Sequence, residues 1–465
     1  MPRFNFCLLL FAILLYTLTS GVTLRDRLLV STLHKIERNA YFEPSPKDLF
    51  EGAMKGMMQV LEKYGDEYSS YIQSNKQTYY LDVTNNRYEG FGFSTKLYGE
   101  GDENKLIIAY PLPESPAFRA GLRSGDQVLQ IDGTPVAESI DIETVRLSKP
   151  QGEQEFRLTV LPFGQTEPKD YFLRPEKLRF DSVEGDYCDA DGRRVFCLET
   201  EPKIGYIRIT SFSDSTAKEF DHALDRMMQG GAESFILDLR DNGGGDVWNC
   251  VQIARMLLVA DSTQKVVVSV HPRNGQKRSF TLTEGTQRCA LPMVVLIDGD
   301  TASSSELLAA PLQDYRRATI VGTRSFGKGI IQGIFMLPFQ SGILQLTDSE
   351  YRRPNGAAIH RKRNATDADD WGIIPDKTVE LTEAEQSAVL QYRSLRSNVV
   401  SAERSAILEQ FRRQITEDQK KPEFPSESEP QPEGYESKPK QFEFTGTAPY
   451  FDGQLDEAIK VLLAH

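Results

Sequence analysis

The sequence predicts an α/β fold with a mainly parallel sheet, preceded by a smaller region of short strands and by a helical N-terminal region. From residue 176 onwards, apolar strands alternate with amphipathic helices, which is typical of a parallel sheet with both faces covered. Residues 88–175 instead contain short strands punctuated by glycine, and apolar residues before them recur at helical spacing. A chain of 465 residues is also too long for one ordinary core.

The first 21 residues have the pattern of a signal peptide. Arg3 is followed by an apolar run at 6–18 and by the small residues Thr19, Ser20 and Gly21. The run is short for a membrane span, so we expect residues 1–21 to direct export to a periplasmic or extracellular location. An uncleaved anchor, which would leave the protein membrane-associated, is the competing interpretation.

Composition excludes some functions. With 54 Lys and Arg against 67 Asp and Glu, the net charge is −13, which argues against nucleic-acid binding. The basic run at 360–363 is interpreted as a solvated loop.

Four cysteines follow the predicted signal peptide, and a disulfide across the turn between Cys188 and Cys197 is possible. None has CxxC spacing, so we expect no metal site.

Residues 22–87 are predicted to be helical, as in "LFEGAMKGMMQVLEKY". Residues 88–175 contain, in order, "GFGF", "SPAFRAGLRSGD" and "VLQIDG", and this block resembles a PDZ domain. The resemblance implies that the GFGF loop, formed by Gly90, Phe91, Gly92 and Phe93, binds a peptide's terminal carboxylate through backbone N–H groups. The alternative is a glycine-rich hairpin without a ligand.

Residues 176–382 are predicted to form the α/β core. Strands such as "IGYIRITSF" and "PMVVLIDG" alternate with helices such as "STAKEFDHALDRMM". After the core, residues 383–444 are predicted to be a helical and then disordered linker, because proline and charge rise sharply at 420–440. A C-terminal helix is expected within residues 445–465.

Three consecutive serines, Ser303, Ser304 and Ser305, stand where a buried strand gives way to a helix. A serine there is often only an N-cap. An acyl-transfer nucleophile also belongs there, because the helix N-terminus offers free N–H groups to an oxyanion. Glycines at 243–245 would let further backbone N–H groups approach a substrate.

A nucleophilic serine needs a base, and none of the five histidines lies in a motif-like context. Lys328, in "SFGKGIIQ", is flanked by glycines between two strand-like runs. We expect it in a core sheet, where burial would lower the pKa of its amine and make it a base. Gln332, four residues on, would share its face of a strand and orient it.

These blocks together resemble the carboxyl-terminal processing proteases, or tail-specific proteases, of the S41 peptidase family. The resemblance rests on "GYIRITSFS", "FILDLRDNGGG", "DGDTASSSELLAAP", "SFGKGIIQ" and "WGIIPD" in that order. It implies a crotonase-like (ClpP/crotonase) core with an inserted PDZ domain. Ser303 would be the nucleophile, Lys328 the general base and Gln332 its orienting partner. The oxyanion donors would be Ser304 and either Gly244 or Gly245.

The implied reaction is peptide hydrolysis through an acyl-enzyme, without a metal or organic cofactor. The partners would be protein or peptide substrates bound by their C-terminal tails. One alternative is a non-catalytic, exported PDZ scaffold that binds such tails. Another is an acyl-transfer or isomerising enzyme on a crotonase-like core. The serine and lysine could also be structural only.

Overall fold

The computed structural model describes residues 23–98, 105–112, 115–123, 126–136, 155–162, 165–189, 193–260, 265–382, 385–386, 389, 393 and 452–464. The predicted signal peptide and nearly all of the predicted linker lie outside the described residues. The chain divides into two compact units, residues 1–77 with 332–347 and residues 78–331 with 348–465. Among the described residues, no helix has the length and apolar character needed to cross a bilayer.

The first unit contains two N-terminal helices, α1 (Leu24–Asn39) and α2 (Pro46–Lys63). Each begins at a hydroxyl N-cap, which accepts a hydrogen bond from the third residue of its helix. Strand β1 (Ser70–Ile72) pairs antiparallel with the first part of β20 (Ile343–Arg352). Residues 332–347 therefore group with the N-terminal region, although the sequence placed them inside the 176–382 core.

The other elements run in chain order as follows: α3 (Gln77–Thr84), β2 (Arg87–Gly90), β3 (Phe93–Tyr98), β4 (Lys105–Pro111), α4 (Pro116–Ala120), β5 (Gln127–Ile131), β6 (Thr134–Pro135), β7 (Phe156–Leu161), β8 (Lys169–Leu173), β9 (Glu176–Arg179), β10 (Val183–Glu184), β11 (Tyr187–Cys188), β12 (Arg194–Val195), β13 (Ile204–Ile209), α5 (Thr216–Gln229), β14 (Ser234–Asp238), α6 (Val247–Leu257), β15 (Val266–Pro272), β16 (Arg278–Thr281), β17 (Met293–Ile297), α7 (Ser304–Asp314), β18 (Thr319–Gly322), β19 (Ile330–Met336), β21 (Lys377–Thr378) and α8 (Gly453–Leu463). The second unit holds most of them.

The region that resembles a PDZ domain forms its own antiparallel sheet. Strands β3, β4, β5, β7 and β8 follow one another across it, and β6 pairs with β5. Its inner face is a small apolar core that includes Leu106, Ile108, Leu122 and Val160. Strands β2 and β9 pair with each other, which brings the start and the end of this region together.

The predicted parallel sheet is confirmed. Its strand order is β10-β13-β14-β17-β18-β21, and every neighbouring pair from β13 to β21 is parallel. Central strand β17 is buried along its whole length, which explains its uninterrupted apolar sequence. Helices α5, α6 and α7 pack on one face in the larger core, and α8 covers the other face with a second cluster. The carboxyl ends of β14 and β17 lead into the two loops that form the candidate site.

Candidate active site

Ser303 lies between β17 and the first residue of α7, at the carboxyl end of the parallel sheet. Its backbone has φ 55° and ψ −118°, a left-handed conformation that costs free energy at a residue other than glycine. Such strain persists only where the surrounding structure imposes it, and it is common at functional sites. The strained backbone marks this position as a candidate nucleophile.

The other two serines of the run are fully buried and committed to the glycine loop. The Ser304 hydroxyl donates to the Gly245 carbonyl at 2.8 Å, and the Ser305 hydroxyl donates to the Asn242 carbonyl at 2.9 Å. Of the three, only Ser303 is partly exposed. The geometry therefore separates Ser303, which only the family resemblance had singled out, from its two neighbours.

The glycine loop contacts the start of α7 directly. A Cβ at Gly244 would lie 2.7 Å from Ser303 Cβ and 2.9 Å from the Ser304 nitrogen, and its φ is 100°. The Gly244 N–H donates to Asn242 Oδ1 at 2.9 Å, so it is already engaged. Of the two glycines considered as oxyanion donors, Gly245 is the one whose N–H is not used in this way.

Lys328 lies in the loop between β18 and β19, not in a strand. The prediction that Lys328 lies in a core sheet is therefore wrong. Because Lys328 precedes β19, the prediction that it shares one face of a strand with Gln332 is also wrong. Two glycines make the tight path of this loop possible. A Cβ at Gly327 would lie 2.9 Å from the Arg361 and Trp371 side chains, and one at Gly329 would lie 2.3 Å from the His360 nitrogen.

Glu306 joins the serine and the lysine segments. Its Oε2 accepts from the backbone N–H of Ser303 and from that of Lys328, each at 2.8 Å. The two backbone nitrogens therefore lie within twice that distance of each other. Its Oε1 accepts from the Gly327 N–H at 2.7 Å and from the Ser325 hydroxyl at 2.6 Å. One buried carboxylate thus fixes both the serine turn and the lysine loop.

The pKa values of the Glu306 carboxyl and the Lys328 amine are both shifted from their usual values. Burial raises the pKa of Glu306 to about 6, although its four hydrogen bonds lower it, so the group is ionised at neutral pH. Burial lowers the pKa of Lys328, while the nearby Glu306 charge opposes that shift. A lysine with a depressed pKa releases its proton more readily and can act as a base.

Gln332 falls in the first unit, as the third residue of β19. Its side-chain amide donates to the Thr347 hydroxyl at 3.4 Å. Thr347 in turn donates to Asp66 at 2.9 Å, so these three polar side chains form a chain within that unit. Its role in orienting the lysine stays a prediction.

The GFGF segment joins β2 to β3 and turns sharply at Gly92, where φ is 79°. Its carbonyls are held by the segment that leads into α4. The Phe91 carbonyl accepts from the Ala117 N–H at 3.0 Å, and the Gly92 carbonyl accepts from the Leu112 N–H at 2.7 Å and the Ser115 hydroxyl at 3.0 Å. These hydrogen bonds use the carbonyl groups of Phe91 and Gly92 and do not involve their N–H groups.

Two residues that support the candidate site were not predicted from the sequence. Glu306 was not among the predicted site residues, although Ser303-x-x-Glu306 has the spacing of a capping box. Arg240, just after β14, is fully buried and pairs with Asp238 at 2.6 Å and with Asp452, the N-cap of α8, at 2.8 Å. It ties the C-terminal helix to the strand that carries the glycine loop.

The four cysteines after residue 22 are free, so the disulfide considered between Cys188 and Cys197 does not form in this structure. Cys188 instead faces Arg194 across β11 and β12. Within the described part of the chain, no group of three or more His, Cys, Asp or Glu side chains is placed to hold a metal ion.

Comparison with known proteins agrees with this geometry. A profile of Peptidase family S41 matches residues 203–379, and a PDZ domain profile matches residues 107–162. A carboxyl-terminal-processing protease of Picosynechococcus is 30% identical over 73% of this chain and 75% of its own length. One of Synechocystis is 35% identical over 64% of each chain, a little under two thirds of its length.

A solved structure described as a putative S41 protease from Bacteroides fragilis has the same fold, with a TM-score of 0.50. It is 18% identical, and the match covers 77% of this chain and 88% of that one. The sequence relatives and the two profiles lead to one conclusion. The chain belongs to peptidase family S41, among the relatives of the carboxyl-terminal-processing proteases, and carries a PDZ domain.

Proposed function

We propose that this chain is a serine endopeptidase that cleaves protein substrates near their C-termini. Ser303 is the nucleophile and Lys328 the general base. The observation that carries this proposal is the shared Glu306 carboxylate, which binds the backbone N–H groups of both residues. The strained backbone and partial exposure of Ser303, together with the lowered pKa of Lys328, support the same roles.

The mechanism begins when the neutral Lys328 amine takes the proton of the Ser303 hydroxyl, whose oxygen attacks the scissile carbonyl. The backbone N–H groups of Ser304 and Gly245 stabilise the oxyanion, in a loop fixed by Asn242. The tetrahedral intermediate then collapses, and Lys328 returns its proton to the leaving amine. Water, deprotonated by the same amine, hydrolyses the acyl-enzyme and releases the product.

Substrates are recognised by their C-terminal carboxylate at Gly90, Phe91, Gly92 and Phe93. Backbone N–H groups of a glycine loop bind such a carboxylate, and the chain adds as a strand to the sheet edge. The core is crotonase-like, and export by residues 1–21 would place the reaction in a periplasmic or extracellular compartment.

The test compares wild-type full chain with Ser303→Ala and Lys328→Ala on a denatured, tail-tagged protein, with fragments identified by mass spectrometry. We expect both variants to fold and to lose at least about a thousandfold in kcat/KM. Ser279→Ala, at an exposed position of β16, and Lys362→Ala are matched controls and should cleave. If wild type is inert but still binds C-terminal peptides, the protein is a scaffold and the proposal fails.

A further inference from the structure

The hydroxyl of Tyr88 lies on the GFGF loop of the PDZ domain. A Cβ built on Gly90 would lie 2.1 Å from Tyr88 Oη and 2.2 Å from Cζ. The phenol end of the side chain therefore touches the first residue of the loop. No side chain larger than hydrogen fits at Gly90 while the tyrosine keeps this position.

The position of Tyr88 follows from its strand. Tyr88 lies in β2, where it faces Leu178 of β9, and its ring packs against Phe180 at a centroid distance of 5.5 Å. The strand pairing and the ring contact direct the side chain along the start of the loop. The contact is therefore built into the paired strands and does not depend on a freely rotating surface side chain.

The backbone N–H groups of Phe91 and Gly92 are close enough to the same oxygen to affect its pKa. Burial raises the pKa of Tyr88, and hydrogen bonds from the Gly92 and Phe91 N–H groups partly offset that rise. The phenol is therefore neutral at working pH, and its oxygen lies close to the N–H groups of the loop. The loop carbonyls bond to the Leu112–Ala117 side, so the N–H groups are left for this oxygen.

We infer that the Tyr88 hydroxyl occupies the carboxylate position of the GFGF loop in the free protein and must be displaced by the C-terminus of an incoming substrate. This inference rests on the proposed tail recognition and adds an affinity threshold to it, because a ligand must bind the loop strongly enough to displace Tyr88. A free carboxylate brings a full charge and forms stronger hydrogen bonds to N–H groups than a neutral phenol does. An amidated tail, an internal segment or a neutral side chain offers no such advantage over Tyr88.

The experiment measures binding of a fluorescein-labelled decapeptide ending in Phe-Val, with a free carboxylate or as the C-terminal amide. The protein is the full chain carrying Ser303→Ala, so that the peptide is not cut. The variants are Tyr88→Phe, which removes only the hydroxyl, and Tyr88→Ala, which also removes the ring. Tyr171→Phe in β8 is the matched control, and thermal unfolding verifies that each variant is folded.

We expect Tyr88→Phe to tighten binding of the carboxylate peptide about tenfold, because two buried N–H groups lose their acceptor in the free protein and regain one in the complex. Tyr88→Ala should tighten it at least as much, and Tyr171→Phe should leave it unchanged. The amide should bind more weakly than the carboxylate in every protein, and its binding should tighten by a similar factor in both Tyr88 variants, because it competes with the same hydroxyl.

The outcomes separate this inference from the proposed tail recognition. If wild type prefers the carboxylate peptide but neither Tyr88 variant gains affinity, the inference is overturned and tail recognition stands. If carboxylate and amide bind equally to wild type and to both variants, or neither peptide binds any of them, tail recognition fails and the inference with it. If the carboxylate peptide binds measurably to the Tyr88 variants but not to wild type, the result supports both the Tyr88 inference and the proposed tail recognition.

Discussion

The protease core and the PDZ domain each gather backbone N–H groups of a glycine-containing loop onto one side-chain oxygen group, but they use different groups. In the core, the Glu306 carboxylate accepts three backbone N–H groups and the Ser325 hydroxyl. In the PDZ domain, the N–H groups of Phe91 and Gly92 lie close to the neutral Tyr88 phenol and lower its pKa. Hydrogen bonds to an ionised acceptor are roughly twice as strong as those between neutral groups.

That difference matches what each loop has to do. The serine and lysine must keep one geometry through every turnover, because a misplacement of about 1 Å can cost a hundredfold in rate. A buried carboxylate with four partners provides such a fixed centre. The GFGF loop binds one substrate tail after another, so any group that fills it in the free protein must be easily displaced. The uncharged Tyr88 hydroxyl is such a group.

The strongest way to break the comparison is Glu306→Gln. The amide can accept at only one atom, and its own NH₂ would face the donors of the lysine loop. We expect kcat/KM to fall at least about a hundredfold while the fold is retained. Steady-state cleavage of the tail-tagged protein measures this, with circular dichroism as the folding control. A variant that keeps wild-type kcat/KM would mean that the carboxylate does not position the site.

The glycine loop offers the next test. Gly244→Ala would place a methyl group 2.7 Å from Ser303 Cβ at a φ of 100°, so the loop must move away from the nucleophile. We expect a loss of about tenfold or more in kcat, measured at saturating substrate. Gly243→Ala is the matched control, because no atom lies within 4 Å of its Cβ. Equal losses in both variants would contradict a specific contact at Gly244.

The pH dependence tests the charge on Glu306. Its pKa of about 6 is raised above the usual value, so the group gains a proton, and the N–H donors lose a charged acceptor, as pH falls through 6. We expect kcat/KM to fall about tenfold per pH unit below that point. Because the pKa of Lys328 is lowered, the alkaline rise should level off below the usual lysine value of about 10.4. The pH profile of kcat/KM for Glu306→Gln should not show the fall near pH 6.

The smallest effect is expected on the PDZ side. Ser115 donates to the Gly92 carbonyl at 3.0 Å and caps α4 by accepting from the Phe118 N–H at 3.2 Å. Ser115→Ala should lower the free energy of unfolding of this domain by about 1 kcal/mol and weaken binding of the carboxylate peptide a few-fold. Calorimetry and peptide titration test it. An unchanged affinity would show that the loop keeps its shape without this support.

The sequence predicted the parallel sheet well, because β13, β14, β17 and β18 are largely buried and therefore mostly apolar. It also predicted which loops approach each other, since Ser303 and Gly244 both follow the carboxyl ends of neighbouring parallel strands. The contact of Gly244 with the nucleophile's turn could be expected from glycine's lack of a Cβ.

Other features depend on contacts between residues far apart in the chain. Lys328 was expected in a strand because apolar runs flank it, but its backbone N–H bonds to Glu306 and the flanking glycines pack on residues 360–371. The grouping of residues 332–347 with the N-terminal region comes from the pairing of β20 with β1, which no local pattern indicates. The Tyr88 contact likewise depends on β2 pairing with β9.

The central claim is that Ser303 is the nucleophile and depends on Lys328. The most direct measurement is covalent labelling with a fluorophosphonate probe, followed by peptide mass spectrometry of wild type and Lys328→Ala. We predict a single adduct on Ser303 in wild type and at least about a hundredfold slower labelling in the lysine variant. An adduct on Ser304 or Ser305, or equal labelling rates in the two proteins, would contradict the account.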